Sequence, residues 1–430
     1  MCSSGTVRHL LYNIGPIAHL SAGDINSPLC GSKMSDRESL VYNSGMGVLI
    51  ENDKIISIDD SSKLCSEFGK ESISNSIEVT DCEGFAMIPG FVDCHTHLLW
   101  DGDRSNEMQL RNSGHSYKDI ANMGGGISKT VKATRTASEL RLSQLGKSRL
   151  LRALNFGTTT MECKSGYGLS TESELLLLSM IGQLKNQSTI DLHPTWLGAH
   201  DFPFDKSKES YFEDLLTNQL PEIISQGIAK WADVFCEPGW YNLEQTEEIV
   251  RAASKSNLPS RIHVDEFVDS GGLALAAELG CVSGDHVGYS SDEARSMANT
   301  AGCMQTFLPG TPYILGKELN SPLRKCIDND WAFSLATDFN PNYNSLSLPF
   351  VGSLATHRLG LEPLEALIAV TRNPASTLFM KDDNHISGSI RVGGPADLLI
   401  INSKEIDGWC QYPGDNPVVK TISKGVTVKS

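Results

Sequence analysis

The segment 86–97 reads Ala-Met-Ile-Pro-Gly-Phe-Val-Asp-Cys-His-Thr-His. It is an apolar run that ends in two histidines, His95 and His97. Side chains two positions apart on a β-strand point to the same face of the sheet, so both imidazoles leave the strand on one side. Two converging imidazoles can chelate one metal cation, and neutral imidazole suits zinc or iron. The alternative is a pair of hydrogen-bonded histidines in a protein core.

Seven further candidate strands follow along the chain, and most of them precede a helix-like stretch. The predicted strands lie at residues 86–97, 158–164, 191–200, 231–237, 260–264, 281–286, 303–308 and 331–338. The clearest helix is 171–184, where Thr171 and Glu174 have the spacing of a capping box. Eight strand–helix units over residues 90–374 come close to the ~250 residues of a typical (β/α)8 barrel. An open doubly wound sheet is the alternative, but the sequence lacks its glycine-rich first turn.

The two ends of the chain are rich in short β-type runs. Residues 47–58 predict a hairpin around Asn52-Asp53, and the C-terminal runs are 390–392, 396–401 and 418–428. The polar stretch 21–44 is predicted to be a surface excursion. We therefore predict an α/β protein, with a (β/α)8 TIM-type barrel over residues 88–380. Residues 1–87 and 381–430 are predicted to form one small composite β-sandwich domain.

Polar residues cluster where the predicted barrel strands end, which is where barrel enzymes carry their active sites. These strand-end residues are His95, His97, Lys164, Tyr167, His200, Glu237, His263, Glu266, Asp285, His286, Asp338 and Asn340. His263 and Asp338 add two further ligand types to the histidine pair. Three histidines and one carboxylate would leave room for a water molecule on a catalytic metal.

Two strand-end residues are candidates for proton transfer. Glu266 lies three residues after His263, and His286 ends the next strand. Both are within reach of the predicted metal as acid or base. The alternative for Glu266 is a surface carboxylate that opens a helix. The alternative for His286 is a structural histidine or an additional metal ligand.

Arg104 follows the histidine pair by seven residues, in the first loop at the barrel mouth. An arginine there can hold a carboxylate through a two-pronged hydrogen bond. The alternative is a surface arginine paired with Asp101, Asp103 or Glu107. Further candidate hydrogen-bond donors to a substrate are Tyr117, Tyr167 and His200.

Composition excludes several classes of protein. Hydrophobic residues make up 40% and charged residues 20% of the chain, which is typical of a globular protein and not of a fibre or a disordered chain. The 36 Lys and Arg against 52 Asp and Glu give a net charge of −16, so we expect no nucleic-acid partner. An anionic substrate then needs a local cation such as Arg104.

The sequence also bears on location. No apolar run approaches the ~20 residues of a membrane helix, so we expect no membrane partner. None of the eleven cysteines has Cys-x-x-Cys spacing. Scattered cysteines of this kind are typical of small buried side chains in a reducing compartment, which predicts the cytoplasm.

Motifs along the chain resemble those of a known family. Residues 89–97 and the return at 394–400, Gly-Pro-Ala-Asp-Leu-Leu-Ile, resemble the amidohydrolase superfamily of metal-dependent hydrolases. More narrowly, the chain resembles the imidazolonepropionase family. That match rests on Gly102-Asp-Arg104, on Lys-Ser-Gly-Tyr-Gly-Leu at 164–169, and on the segments 263–266, 308–311 and 336–341.

The resemblance implies a small-molecule substrate, 4-imidazolone-5-propanoate, whose ring is opened by hydrolysis to N-formimidoyl-L-glutamate in histidine degradation. It implies one divalent or trivalent metal ion per chain, zinc or iron, and a homodimer. The implied metal ligands are His95, His97, His263 and Asp338. The implied substrate contacts are Arg104, Tyr117, Tyr167, His200, Glu266 and Asn340, and the implied catalytic groups are Glu266, His286 and Asp338.

Two other functions remain open from the sequence. One is a nucleobase-type aminohydrolase, a deaminase, that uses the same metal chemistry. Bases carry no carboxylate, so such an enzyme has little use for Arg104. The other is a catalytically inactive scaffold on the same fold, which is expected to have lost metal ligands; all four are present.

Overall fold

The computed structural model describes residues 7–68, 77–379 and 385–429 of the chain. Its strands, numbered along the chain, are β1 (Arg8–Tyr12), β2 (Ile17–Ala18), β3 (Val41–Tyr42), β4 (Met46–Glu51), β5 (Lys54–Asp60), β6 (Glu78–Asp81), β7 (Met87–Pro89), β8 (Phe91–Asp93), β9 (Thr158–Lys164), β10 (Asp191–Ala199), β11 (Trp231–Cys236), β12 (Ser260–Val264), β13 (Ser283–His286), β14 (Met304–Phe307), β15 (Phe333–Leu335), β16 (Leu398–Ile401), β17 (Val418–Ser423) and β18 (Val426–Lys429).

Strands β8 to β15 form one parallel sheet in which the order of the strands is their order along the chain. A parallel bridge between Thr96 and Phe339 joins the chain after β8 to the chain after β15. The N–H of His97 donates to the carbonyl of Phe339 over 2.8 Å at the same place. The sheet therefore nearly closes on itself, and the predicted barrel is confirmed.

Helices follow most of the barrel strands and cover the outside of the sheet. The α-helices are α1 (Arg37–Leu40), α2 (Ser61–Phe68), α3 (Glu107–Asn112), α4 (Tyr117–Asn122), α5 (Gly126–Thr136), α6 (Glu139–Asn155), α7 (Thr171–Lys185), α8 (Lys208–Asp214), α9 (Leu220–Gln226), α10 (Leu243–Lys255), α11 (Gly272–Glu278), α12 (Asp292–Ala301), α13 (Gly310–Ile314), α14 (Leu323–Asp328), α15 (Leu348–His357), α16 (Pro363–Ala369) and α17 (Arg372–Ala375). Short 3₁₀ turns lie at Gly31–Met34 and Ile406–Cys410, and one π turn lies at Leu215–Gln219. Within the described residues, no helix is both long and apolar enough to cross a membrane.

The remaining strands form two sheets from the ends of the chain. The first has the order β5-β4-β1-β6, and the second has the order β18-β17-β16-β7-β2-β3, which combines both ends. The two sheets share one apolar core, whose members include Leu11, Ile50, Met87, Leu398 and Ile422. The predicted hairpin at 47–58 is present as β4 and β5. The domain boundary at 87/88 stays a prediction, and the boundary at 380/381 lies outside the described residues.

The predicted first strand at 86–97 is wrong as a single strand. Strand β7 pairs with β16 in the terminal sheet, and β8 pairs with β9 in the barrel. Gly90 separates them, and a Cβ at this position would overlap the side chain of Thr159. The chain therefore passes from one sheet to the other at a residue that must have no side chain.

Two other local predictions differ from the structure. Residues 390–392 form no strand. Helix α7 is capped by Ser170, whose side chain accepts the N–H of Ser173, because the carboxylate of Glu174 is used elsewhere. That carboxylate accepts the backbone N–H groups of the loop before the helix, at Gly166, Gly168 and Leu169.

The segment 21–44 is more than a surface excursion. Leu29, Met34 and Leu40 are buried in the main core. The amide oxygen of Asn373 accepts the N–H of Leu29 over 2.8 Å, which attaches the segment to the barrel. The prediction followed from the high Ser, Gly and Asn content of the segment, but its position is determined by a few buried apolar side chains.

Candidate active site

The carboxyl ends of the barrel strands surround a cavity. Parallel strands all point the same way, so the residues that follow them meet at one rim of the barrel. Most of the residues predicted from the sequence line this cavity: His97, Arg104, Tyr167, His200, His263, Glu266, His286, Asp338 and Asn340. His95 is fully buried beside them, with its ring centre 4.4 Å from that of His263.

Four of these side chains converge. Ring nitrogens of His95, His97 and His263 all lie within 4.8 Å of one another. Oδ1 of Asp338 lies 3.7 Å from Nε2 of His95 and 3.7 Å from Nε2 of His97. Ligands of a tetrahedral zinc ion lie about 3.4 Å apart, so these atoms approach a chelating arrangement. His286 lies at the same point, because its nitrogen is within 4.8 Å of ligand atoms of His95 and Asp338.

Carboxylates behind two of the histidines determine which ring nitrogen is left for a ligand. Nδ1 of His95 lies 2.7 Å from Oδ2 of Asp285, and Nδ1 of His263 lies 3.0 Å from Oδ1 of Asp233. A carboxylate accepts an N–H, so Nδ1 carries the proton in both rings and Nε2 keeps a lone pair. Both Nε2 atoms are buried, and neither has a hydrogen-bond partner among the described residues.

Burial also determines the charge of the converging groups. It lowers the pKa of His95 and the pKa of His97 well below the usual value, so both rings stay neutral, as metal ligands must be. It raises the pKa of Asp338 to about 6, and Thr311 donates a hydrogen bond to Oδ2 of this carboxyl group. Lone pairs that are buried without a donor are costly unless a cation lies between them. The residues therefore fit a metal ion.

Two of the candidate site residues have a left-handed backbone. The φ angle is 76° at His286 and 54° at Asp338. Such conformations cost of order 1–3 kcal/mol each and are concentrated at functional sites. The N–H of Asp338 donates to the carbonyl of His95 over 3.1 Å, which holds Asp338 against the first barrel strand.

Glu266 and His286 lie side by side in the cavity wall, with Oε2 of the first 3.7 Å from Nε2 of the second. Burial and the charges of Asp338 and Glu237 raise the pKa of Glu266 well above its usual value. Burial lowers the pKa of His286 well below its usual value. A carboxyl group that keeps its proton beside a neutral imidazole can give and take a proton. The alternative of a surface carboxylate for Glu266 is wrong, because only 13% of its side chain is exposed.

Arg104 is 4% exposed and forms part of the cavity wall. Its Nε and Nη2 donate to the carboxylate of Glu107 over 2.8 to 3.0 Å. Oε1 of Glu107 also accepts the N–H of Gly126, the first residue of α5, over 2.9 Å. One of the alternative partners named for Arg104 is therefore present, but the pair is buried and does not lie on the surface.

The aromatic candidates lie next to the converging histidines. The ring centre of Tyr167 is 5.0 Å from that of His200 and 5.6 Å from that of His97. Nδ1 of His200 donates to the carbonyl of Gly166 over 2.8 Å, and burial lowers the pKa of His200 to about 3. Its Nε2 is therefore a hydrogen-bond acceptor. The side chain of Tyr117 lies outside the described residues.

Asn340 is at the cavity wall, but its amide is used within its own loop. Nδ2 donates to the carbonyl of Asp338, and Oδ1 accepts the N–H groups of Asn342 and Tyr343. The amide therefore fixes the loop that carries Asp338.

Sequence reasoning assigned no role to Glu162, Asp233 or Thr311. The first two are charged residues inside strands that are buried along their whole length, β9 and β11. A charged side chain in such a strand needs a polar partner inside the barrel, and this signal could have been used. Nothing in the local sequence marks Thr311 as a partner of Asp338.

Named relatives match nearly the whole chain. The chain is 37% identical over 420 residues to the imidazolonepropionase of Thermoanaerobacter pseudethanolicus, and the match covers 97% of each chain. It is 38% identical over 406 residues to the imidazolonepropionase of Alkaliphilus metalliredigens, and this match covers 94% of each chain. The chain belongs to the imidazolonepropionase family. The resemblance noted in its motifs is confirmed.

Solved structures resemble this member of the imidazolonepropionase family in fold. An adenosine deaminase from Xanthomonas campestris with bound zinc has a TM-score of 0.69 at 15% identity, over 97% of this chain and 92% of that chain. A triazine hydrolase variant has a TM-score of 0.70 at 14% identity, over 98% of this chain and 95% of that chain. At such identities the likeness shows the barrel fold alone. No family model matches the chain.

The converging ligands predict how metal content depends on single histidines. His95→Ala is expected to lose bound metal, because it removes a lone pair at the centre of the group. His193→Ala is the matched control, since His193 is also buried but pairs with Asp191 at the start of β10. Elemental analysis after dialysis measures metal per chain. Equal metal content in the two variants would contradict the assignment of His95.

Proposed function

We propose that this chain hydrolyses 4-imidazolone-5-propanoate to N-formimidoyl-L-glutamate, a step of histidine degradation. The observation that carries the proposal is a single small cavity that borders both the converging histidines and a buried arginine. The substrate presents a cyclic amide to the first and a carboxylate to the second. Membership of the imidazolonepropionase family supports the same reaction.

We propose one zinc or iron ion per chain, held by His95, His97, His263 and Asp338. Three imidazoles and one carboxylate accept either metal. When bound, the ion would supply Lewis-acid chemistry that polarises a carbonyl group and activates water near neutral pH. The lone pairs of His95 and His263, buried and fixed by carboxylates, support this ligand set.

In the proposed reaction, Arg104 binds the substrate carboxylate, while Tyr167 and His200 bind the ring. A guanidinium has five N–H donors, enough to serve both Glu107 and a substrate. Water adds its oxygen to the ring carbonyl carbon, the carbon–nitrogen bond breaks, and the nitrogen takes a proton. Glu266 and His286 hold and pass that proton, which their opposite pKa shifts and their 3.7 Å separation support.

Roles for four residues complete the proposal. Tyr117 and Asn340 border the substrate, and Glu266 contacts it as well. Asp338 serves the chemistry twice, as a ligand and as a negative charge that contributes to the raised pKa of Glu266.

We also propose that the protein is cytoplasmic and that it forms a homodimer. The domain boundaries are proposed to lie at residues 87/88 and 380/381. The location is supported by the many buried cysteine thiols, which suit a reducing compartment. Membership of the imidazolonepropionase family supports the homodimer.

Turnover of freshly generated 4-imidazolone-5-propanoate tests the reaction. The purified protein is expected to convert it, to lose activity after treatment with a chelator, and to recover when zinc or iron(II) is added back. Adenine and cytosine serve as parallel substrates. Release of ammonia from a base, with no turnover of the imidazolone, would favour the deaminase; no turnover of any substrate by metal-loaded protein would favour the inactive scaffold.

Removal of the charges of the Arg104–Glu107 pair is expected to weaken substrate binding without changing metal content. Arg104→Gln combined with Glu107→Gln removes the anchoring charge without leaving a buried carboxylate unpaired. A lost hydrogen bond between charged groups is worth about 1.5–3 kcal/mol, so KM is expected to rise about 10- to 100-fold with metal content unchanged. Arg141→Gln is the control, because Arg141 pairs with Asp101 at 53% side-chain exposure. An unchanged KM in the double variant would remove Arg104 from the substrate site.

A further inference from the structure

Beneath the converging histidines lies the ammonium group of Lys164, which is fully buried at the end of β9. Its Nζ lies 2.9 Å from Oε1 of Glu162, 2.7 Å from Oδ2 of Asp233 and 4.0 Å from Oδ2 of Asp285. All three carboxylates belong to residues with no exposed surface. An ammonium has three N–H donors and no acceptor, so it suits a position among three carboxylates.

Two of these carboxylates accept a hydrogen bond from a proposed metal ligand. The third accepts one from the backbone between two such ligands. Asp285 is bonded to Nδ1 of His95 and Asp233 to Nδ1 of His263. Oε2 of Glu162 accepts the N–H of Thr96 over 3.1 Å, and Thr96 is the residue between His95 and His97. Through these carboxylates, one side chain on β9 is connected to the segment after β8, which holds His95 and His97. It is also connected to β11 and β13, the strands on either side of β12 and its His263.

This arrangement needs the positive charge for a physical reason. Three carboxylates inside one barrel repel one another, and each is costly to bury without a partner of opposite charge. If the ammonium were absent, the carboxylates would separate or rotate. The hydrogen bonds that Asp285 and Asp233 accept from His95 and His263 would then no longer fix the direction of the Nε2 lone pairs.

We propose that Lys164 is a positioning residue that holds His95, His97 and His263 in the arrangement that binds the metal ion. The inference rests on the proposed metal site but concerns a residue that touches neither metal nor substrate. Groups that hold a histidine ligand from behind commonly contribute 10- to 100-fold to metal affinity. Lys164 lies beside two such groups, Asp233 and Asp285, and beside Glu162, which binds the backbone between His95 and His97.

The test is the affinity for cobalt(II) alone, measured by competition with a chelator, together with the visible absorption spectrum of the bound ion. Lys164→Met keeps the length of the side chain and removes its charge and donors. We expect its cobalt affinity to fall about 10- to 100-fold and the absorption bands to shift, because the ligand geometry is altered. The full-length protein is used throughout, with no substrate present.

Arg372→Met is the matched control for the loss of a buried cation. Arg372 is 2% exposed and donates to the backbone carbonyls of Leu20, Ala22 and Asp24. It is expected to bind cobalt with the affinity and spectrum of the unmodified protein. If Lys164→Met does not fold, Glu162→Gln replaces it, because this change weakens only the contacts from Lys164 through Glu162 to Thr96. The cobalt affinity of Glu162→Gln is expected to fall less than that of Lys164→Met, with a smaller spectral shift.

The outcomes separate this inference from the proposed function. Unmodified protein that binds no cobalt would overturn the metal site and the role of Lys164 together. Cobalt binding that is unchanged in affinity and spectrum by Lys164→Met, or by Glu162→Gln where that variant is used, would overturn the role of Lys164 alone. An equal loss in Arg372→Met, without a spectral shift in either variant, would show general destabilisation and would also overturn it.

Discussion

The hydrogen bonds that His95 donates to Asp285 and His263 donates to Asp233 determine how the rest of the site is arranged. Each uses Nδ1 of a buried imidazole, so the neutral ring presents its lone pair on Nε2. Burial removes water as an alternative partner for those lone pairs. Nε2 of His97 lies near them, 3.7 Å from Oδ1 of Asp338. A cation is the one kind of partner that satisfies these lone pairs and the carboxylate together.

Closure of the barrel brings together ligands that are far apart in the sequence. Oγ1 of Thr337 donates to Oδ2 of Asp93 over 2.6 Å, and the N–H of Asp338 donates to the carbonyl of His95. These bonds join the first barrel strand to the last, so the histidine pair and Asp338 share one rim. Gly90 lets the chain enter the barrel directly from the terminal sheet, which fixes where β8 begins. The site is thus a consequence of how the sheet closes.

Much of this arrangement could be predicted from the sequence, because the polar residues at strand ends follow from the geometry of parallel strands. His95, His97, His263 and Asp338 were predicted in this way, and the structure brings them together. The roles of Asp233 and Glu162 were missed, because both residues lie inside strands and not at the strand ends, where site residues were expected. The burial of the Arg104–Glu107 pair was not predictable from local sequence, since it depends on how Gly126 and α5 fold back over the pair.

The central claim is that one ion is held by side chains from three different parts of the barrel. Anomalous X-ray diffraction from crystals loaded with zinc tests it most directly. The account predicts one strong anomalous peak per chain, about 2.0–2.2 Å from nitrogens of His95, His97 and His263 and from an oxygen of Asp338. A peak bonded to another set of residues, or no peak in the cavity of crystals that contain zinc, would contradict it.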